Sequence, residues 1–447
     1  MSDASGRDFS QFERWYMQAG TPTVTATAEY EASSKTYKLT LAQKTLPTAN
    51  QPEKMPLHIP VLVGLFGSDG RLLTERVLEL RETQQTFIFE EIPEEPVPSI
   101  LRGFSAPVKV DSDAIVTPEK LAFLAANDDD PVNRWDALQR VYKAALLELI
   151  GSYQANGGDE SKMTPLAPGV LKAFQATLTN EKLDPSLRAI SLALPSFTLL
   201  AQEMEVIDVD AITTAIRVAQ KTLAATCKSD LLKVYGSLTN NEPYAVTQEQ
   251  VGARRLRNAC LSYLSKLKDE DTTNLCIEQF RTATSMTDSV AALAALCDLP
   301  GDAREEALAT FYKRAHEKNE VLNVNKWFQI QAMAKTPTVL ADVKALMEHD
   351  AFDASNPNRY RALVATFASG NPSGFHKIDG SGYKFIADQV IEIDKRNPQV
   401  AARLASAFLL WKRYSDDRKA LMKAQLERIK EEATSKDTKE IVGRSLA

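Results

Sequence analysis

The chain has 447 residues, of which 44% are hydrophobic and 25% charged, and its formal net charge is −6. This length and composition are typical of a globular protein with two or three domains. The acidic balance argues against a general nucleic-acid binder, which needs an excess of basic residues. No apolar run reaches the roughly 18 residues that a membrane span requires, so no membrane partner is expected.

Residues 1–19 differ in pattern from the rest of the chain. Phe9, Phe12 and Tyr16 recur at helical spacing, and Trp15 lies beside them. Four aromatic side chains at the start of a chain favour a segment that a neighbouring domain covers. The alternative is a short helix that docks on the next domain of this chain. The polar beginning lacks the apolar core of a secretory signal, so we expect a cytoplasmic location.

Residues 20–110 show the pattern of a small β-sandwich. In the run 36–43, apolar Tyr37, Leu39 and Leu41 alternate with polar residues, which indicates a half-buried strand. Turn signals and prolines separate this run from other short apolar runs. The predicted strands are Thr23–Tyr30, Thr36–Gln43, Leu57–Phe66, Thr86–Phe89 and Ser99–Phe104.

Residues 111–447 change to a helical period. One apolar stripe comprises Trp135, Leu138, Tyr142, Ala145, Leu146 and Leu149. The acidic run 128–130 and Pro131 after it predict the start of that helix. Further predicted helices include 186–204, 210–236, 358–369 and 398–412, among about fifteen in all. No fixed repeat length is present. The fold class is therefore a small all-β sandwich followed by a large all-α superhelical domain, an irregular solenoid.

Catalytic and metal-binding patterns are missing from the sequence. The four histidines, His58, His316, His349 and His376, lack the H-E-x-x-H spacing by which a helix holds zinc. The four cysteines lie far apart and suggest buried thiols in a reducing compartment. The glycine-rich run 379–382 lacks the lysine and the preceding strand of a phosphate-binding loop. We therefore assign no catalytic residue, no metal ligand and no cofactor to this chain.

A set of short motifs nevertheless resembles the aminopeptidase N family of zinc metallopeptidases, in its bacterial-type branch. The resemblance covers nearly the whole chain, and the order and spacing of the motifs make it specific. The motifs are Trp15–Val24, Pro56–Pro60, Phe104–Lys109, Arg134–Ala137, Leu183–Leu187, Leu256–Cys260, Met286–Asp288, Lys326–Phe328, Ser355–Arg361, Gly370–Pro372, Asp379–Tyr383 and Arg396–Val400.

The resemblance implies a C-terminal half. In this family a β-saddle and a thermolysin-like zinc domain precede a small β-sandwich and a large helical domain. Residues 1–19 would then lead from the missing catalytic domain, residues 20–110 would form the sandwich and residues 111–447 the helical domain. The zinc and its ligands would belong to the missing part. The chain alone is therefore expected to be inactive, with the catalytic domain and short peptides as its partners.

The resemblance also implies substrate-binding residues. The helical domain of this family closes a cavity over the zinc site, and a few of its arginines line the leaving-peptide side. By position these are Arg361 and Arg403. A planar guanidinium can hold a carbonyl or carboxylate through two hydrogen bonds. An ordinary surface or inter-helix ion pair is the alternative for both residues.

Two functions remain open at this point. The first is the non-catalytic half of a zinc aminopeptidase, which walls the cavity, controls peptide entry and binds the leaving peptide. The second is a stand-alone α-solenoid that binds other proteins. A coding sequence that extends upstream through an H-E-x-x-H motif would favour the first.

Overall fold

A computed structural model describes residues 2–239, 243–299 and 301–447 of the chain. These residues form two compact units. One unit comprises Met1–Ala144 and Pro168–Thr177, and the other comprises Ala145–Ala167 and Leu178–Ala447. The predicted order of elements is confirmed, because all strands precede the large set of helices.

Two β-sheets face each other in the first unit. The four-stranded sheet has the order β5-β2-β1-β7 and the three-stranded sheet β4-β3-β6, and all neighbouring strands are antiparallel except β1 and β7. The strands are β1 (Thr23–Glu31), β2 (Thr36–Lys44), β3 (Ile59–Phe66), β4 (Leu72–Leu80), β5 (Gln84–Phe89), β6 (Val97–Ile100) and β7 (Lys109–Asp111).

Alternation along the inner strands builds the sandwich core. Leu39 and Leu41 of β2 and Val61, Val63 and Leu65 of β3 are fully buried, which is the consequence of the two-residue side-chain period. The predictions missed β4, whose middle is exposed and charged, and the short β7.

The predicted strand 99–104 was placed too late. The observed β6 ends at Ile100 because Leu101 has a left-handed φ of 64° and a 3₁₀ turn follows it. Pro98 lies within β6, which is an edge strand of its sheet, and an edge is where a proline without a donor is tolerated.

The N-terminal segment is hydrogen-bonded to the sandwich. Trp15 Nε1 donates to the His58 carbonyl oxygen at 2.9 Å, and Arg14 Nη1 donates to that of Pro56 at 2.6 Å. Phe9, Phe12 and Trp15 are half-buried, whereas Tyr16 is 78% exposed. The segment therefore docks on the sandwich of its own chain, and of its four aromatic residues only Tyr16 stays exposed.

The described residues form the following α-helices, several of which are only one turn long. They are α1 (Ser2–Ser5), α2 (Arg14–Met17), α3 (Pro118–Asn127), α4 (Pro131–Ala155), α5 (Pro168–Thr179), α6 (Pro185–Ser191), α7 (Phe197–Gln202), α8 (Val209–Thr226), α9 (Lys228–Ser237), α10 (Gln248–Leu264), α11 (Glu270–Thr282), α12 (Met286–Cys297), α13 (Asp302–Glu317), α14 (Val321–Ala332), α15 (Val339–Met347), α16 (Pro357–Tyr360), α17 (Thr366–Gly370), α18 (Pro372–Phe375), α19 (Ser381–Asp394), α20 (Pro398–Ala405), α21 (Asp416–Glu432) and α22 (Lys436–Leu446). Within the described ranges, none is both long and apolar enough to cross a membrane.

Breaks inside predicted helices raise the number of helices above the prediction. The predicted helix 186–204 is divided into α6 and α7 around Pro195, which cannot continue a helix. The predicted helix 210–236 is interrupted at Cys227, whose φ and ψ of −102° and 18° are not helical. The stripe predicted for α4 is buried from Leu138 onward, but Trp135 is 37% exposed and is not the core anchor that the pattern indicated.

Asp394 joins the last helices of the second unit. Its carboxylate accepts hydrogen bonds from the backbone N–H groups of Thr434 and Ser435 and from the hydroxyls of Thr434, Ser435 and Thr438. Burial alone would raise the pKa of Asp394, but the hydrogen bonds from Ser435 and Thr438 lower it below the usual value. The ionised carboxylate therefore stabilises the start of α22.

We expect Asp394→Asn to lower the free energy of unfolding by about 1–3 kcal/mol at pH 7, since an amide cannot accept all these bonds. A depressed carboxyl pKa contributes stability above the unfolded pKa of about 3.9 and loses it as pH falls further. The difference from wild type should shrink below about pH 4. Urea unfolding between about pH 7 and pH 3 measures this difference in the free energy of unfolding, with a variant of the exposed Asp350, Asp350→Asn, as control. A difference that is constant over this range would contradict the assignment.

Candidate functional site

A cavity of about 700 Å³ lies in the second unit and is lined by both predicted arginines, Arg361 and Arg403. One side of its lining comes from the helical stretch 357–370 and the other from α20 and the turn after it. The two residues are far apart in sequence, so the fold brings them to one site. No aspartate or glutamate is among the described lining residues, which leaves two positive charges without an acidic neighbour there.

The helical stretch that carries Arg361 begins at a capped proline. The Asn356 Oδ1 atom accepts from the backbone N–H groups of Asn358 and Arg359 at 3.0 and 3.3 Å, and Pro357 occupies the first helical position. This is a favoured start for a helix, because proline lacks the donor that the first turn cannot satisfy. The observed helical stretch therefore begins one residue before the predicted helix 358–369.

The same stretch then widens into a π-helical turn, Arg361–Ala365. The Thr366 hydroxyl donates to the Arg361 carbonyl oxygen at 3.1 Å. Leu363, Val364 and Phe367 are fully buried on the opposite side, so the packing fixes the turn while Arg361 is exposed. Single π turns inside α-helices occur frequently at functional sites.

Arg403 is held by α20. Asn397 caps this helix by accepting from the Val400 N–H at 3.2 Å. Ala401, Leu404 and Ala405 are buried, and Arg403 is exposed on the other face. The amphipathic pattern of the helix therefore directs the arginine away from the core.

Neither arginine forms an ion pair with a residue in the described part of the chain. Arg361 Nη1 donates to the Asn358 side-chain oxygen at 3.2 Å, which is a neutral acceptor. Arg359 is different: it is 8% exposed, its guanidinium carbon lies 5.2 Å from the centre of the Phe328 ring, and burial lowers its pKa. Arg359 does not line the cavity.

Polar residues that the sequence analysis did not single out complete the cavity lining. They are Ser369, Asn397, Gln399 and Ser406. Helical spacing would have found two of them, since Gln399 lies four residues before Arg403 and Ser406 lies three after it. Their hydroxyl and amide groups can exchange hydrogen bonds with a peptide backbone.

The histidines do not form a metal centre. His58 lies just before β3 rather than inside a strand, with Nε2 3.5 Å from Glu79. His376 is buried, with Nδ1 2.9 Å from the Tyr383 hydroxyl and Nε2 3.1 Å from the Tyr414 hydroxyl. Burial and then the charge of Arg418 lower the pKa of His376 to about 3, so its ring is neutral. In the ranges 2–239, 243–299 and 301–447, no three His, Cys, Asp or Glu side chains lie close enough to hold a metal ion.

Comparisons with known proteins agree with the fold and with the motifs. Residues 118–447 match the family described as "Domain of unknown function (DUF3458_C) ARM repeats", and residues 20–113 match "Domain of unknown function (DUF3458) Ig-like fold".

Relatives of known name match the chain over nearly all its length. It is 36% identical over 456 residues to Aminopeptidase N of Escherichia coli K12, which covers 100% of the chain and 51% of that protein. It is 39% identical over 431 residues to Aminopeptidase N of Caulobacter vibrioides, with coverages of 96% and 48%. The chain thus spans about half the length of the curated relatives it matches.

A solved structure has a similar fold. The crystal structure of Legionella pneumophila aminopeptidase A in complex with aspartic acid has a TM-score of 0.81 and 31% identity, covering 100% of this chain and 51% of that one. The resemblance to aminopeptidase N proteins is therefore confirmed. This chain belongs to the DUF3458_C family, and it is a relative of the C-terminal part of aminopeptidase N proteins.

Proposed function

We propose that this chain forms the wall of the peptide cavity of a zinc aminopeptidase, controls the entry of peptides and binds the leaving-peptide side of the substrate. The observation that carries the proposal is the convergence of Arg361 and Arg403 on one cavity of about 700 Å³. Similarity along the full chain to Aminopeptidase N of two bacteria supports the same context.

The two guanidinium groups suit this task because they are exposed and lack a carboxylate partner among the described residues. Each can donate two parallel hydrogen bonds to a C-terminal carboxylate, or hydrogen bonds to the single oxygen of a peptide carbonyl. The neutral lining groups, such as those of Ser369 and Gln399, can then fix the orientation of the peptide. A wall of this kind positions the substrate and limits the access of water, and it performs no bond cleavage.

The zinc of the resembled family does not fit the residues of this chain, because the four histidines are dispersed and no described group of three ligands exists. The catalytic domain that would supply it is the proposed partner, and short peptides are the proposed substrates. A cytoplasmic location is also proposed, since all four cysteines are free, as is usual in a reducing compartment.

Replacing either arginine should lower kcat/KM more for peptide substrates than for substrates without a leaving peptide. In the protein that combines this chain with its catalytic domain, Arg361→Ala or Arg403→Ala is expected to lower kcat/KM for a tripeptide about tenfold or more, the usual effect of losing a charge-assisted hydrogen bond. An aminoacyl-arylamide has no leaving peptide, so its kcat/KM should change by less than about twofold. Steady-state kinetics on the two substrates measure the difference.

Arg396→Ala is the matched control, because Arg396 is exposed, pairs with Glu392 and does not line the cavity. The isolated chain, with or without added zinc, serves as a second control and should hydrolyse neither substrate. Equal losses on the tripeptide and the arylamide would refute the binding role of the arginines. Zinc-dependent turnover by the isolated chain would refute the division between wall and catalytic domain.

A further inference from the structure

A second cavity, of about 280 Å³, lies in the helical unit away from Arg361 and Arg403. Its described lining includes Arg254 and Arg257, one turn apart on α10, and the start of α12. Two of the motifs that the proposed function leaves unused, 256–260 and 286–288, meet here, because the Asn258 side chain donates to the Asp288 carboxylate at 2.9 Å.

Arg257 is held in place by aromatic and polar neighbours. Its guanidinium carbon lies 4.6 Å from the centre of the Tyr235 ring, and its Nη2 donates to the Tyr235 hydroxyl at 3.0 Å. That hydroxyl donates in turn to the Gln279 side chain at 2.8 Å. The Arg257 Nε atom is buried and has no hydrogen-bond partner. The side chain is therefore oriented before any ligand arrives, and it retains donor capacity.

Arg254 is fixed in a similar way by Tyr244. Its guanidinium carbon lies 4.8 Å from the centre of that ring. Its two Nη atoms donate to the Gln250 side chain and to the Ala245 carbonyl oxygen, each at 3.1 Å. Among described residues, neither Arg254 nor Arg257 has a carboxylate within ion-pairing distance.

The opposite wall contains one acid that is already hydrogen-bonded. Asp288 is 6% exposed, and its carboxylate accepts from Asn258 and from the Ser285 hydroxyl at 2.9 Å each. Ser285 caps α12, whose positive dipole end faces the same space. Two arginines and one aspartate leave the described lining with an excess positive charge.

We propose that this cavity binds a small oxyanion, either a phosphate or a carboxylate group. The guanidinium fork matches the oxygen spacing of both groups. The volume is at the lower end of the range for ligand sites, about 300 Å³, and suits one such group rather than an extended ligand.

Calorimetric titration in chloride buffer tests the proposal on the purified Arg361→Ala/Arg403→Ala chain, in which the first cavity lacks its guanidinium groups, with three probes: inorganic phosphate, N-acetyl-dialanine and the amide of N-acetyl-dialanine. Saturable binding is expected for phosphate or for the free carboxylate, and not for the amide. The stronger of the first two identifies the source of the oxyanion. No saturable binding of either anion would overturn the proposal.

Variants locate the binding. Arg254→Gln and Arg257→Gln should each weaken it at least about tenfold, whereas Arg255→Gln, on an exposed position of the same helix, should leave it unchanged. Asp288→Asn should tighten binding severalfold because it removes the negative charge from the cavity, a direction that mere destabilisation would not produce. Equal binding by the Arg257→Gln and Arg255→Gln variants, each with the wild-type circular dichroism spectrum, would refute the site.

Discussion

Arg102→Met is expected to lower the free energy of unfolding of the sandwich unit by about 3–5 kcal/mol, the usual cost of removing one partner from a buried charge pair. Arg102 is 4% exposed, and its guanidinium contacts three carboxylates, those of Glu75, Asp128 and Asp129, at 2.7, 2.6 and 2.5 Å. Asp128 is fully buried. Without Arg102 its charge would lie in the interior with hydrogen bonds but without an ion-pair partner among the described residues.

Urea unfolding followed by circular dichroism measures this loss. Arg81→Met is the matched control, because Arg81 pairs with Glu79 at the surface, where such pairs contribute about 0–1 kcal/mol. The double variant Arg102→Met/Asp128→Leu should recover part of the stability, since it removes both buried charges together. A loss below that of the Arg81→Met control would show that Asp128 is stabilised by Ser99 and the backbone alone.

The acidic run 128–130 shows how far sequence patterns reach. The prediction of a helix start holds for Asp130, whose carboxylate accepts from the N–H groups of Val132 and Asn133. It is incomplete for Asp128 and Asp129, which pair with Arg102. The sequence pattern predicts the hydrogen bonds of Asp130 within its own helix. It does not predict the ion pairs with Arg102, because those depend on how the turn after β6 approaches the start of α4.

The helices and the cavity also separate what local spacing predicts from what depends on tertiary contacts. Period and proline positions predicted the helical face of 358–369, since burial of Leu363 and Phe367 follows from local spacing. They did not predict the π turn at Arg361, which depends on packing of the whole stretch. Arg361 and Arg403 were predicted as substrate-binding residues from the resemblance to the aminopeptidase N family. Their placement in one cavity could not be derived from spacing, because they lie on separate helices.

Gly382→Ala is expected to have the other large effect, about 3 kcal/mol of lost stability in the helical unit, at the upper end of the usual cost of overpacking. A Cβ atom at Gly382 would lie 2.3 Å from the Phe375 carbonyl oxygen and 2.7 Å from that of Gly374. Both are backbone atoms of α18, so no side-chain rotation can relieve the contact. The helices α18 and α19 would have to separate.

Separation of these helices would disturb the buried groups around them. Tyr383, the next residue of α19, is fully buried, and its hydroxyl forms a hydrogen bond with His376. Its ring contacts that of Phe375, and the two ring centres are 5.2 Å apart. The near-ultraviolet circular dichroism of these aromatic side chains should therefore weaken along with the unfolding midpoint. Within the glycine-rich run 379–382, Gly382 is thus explained by the close approach of two helices.

Gly151→Ala provides the matched control for this substitution. Gly151 lies inside α4, and a Cβ atom there would meet nothing within 4 Å. Alanine at such a position should stabilise the helix by about 0.5–1 kcal/mol, because it restricts the unfolded chain and exposes less backbone. The two glycine substitutions should therefore change the urea midpoint in opposite directions. An upward shift for both variants would mean that the contact between Gly382 and α18 does not limit stability, and the packing of α19 would have to be less tight than the 2.3 Å approach requires.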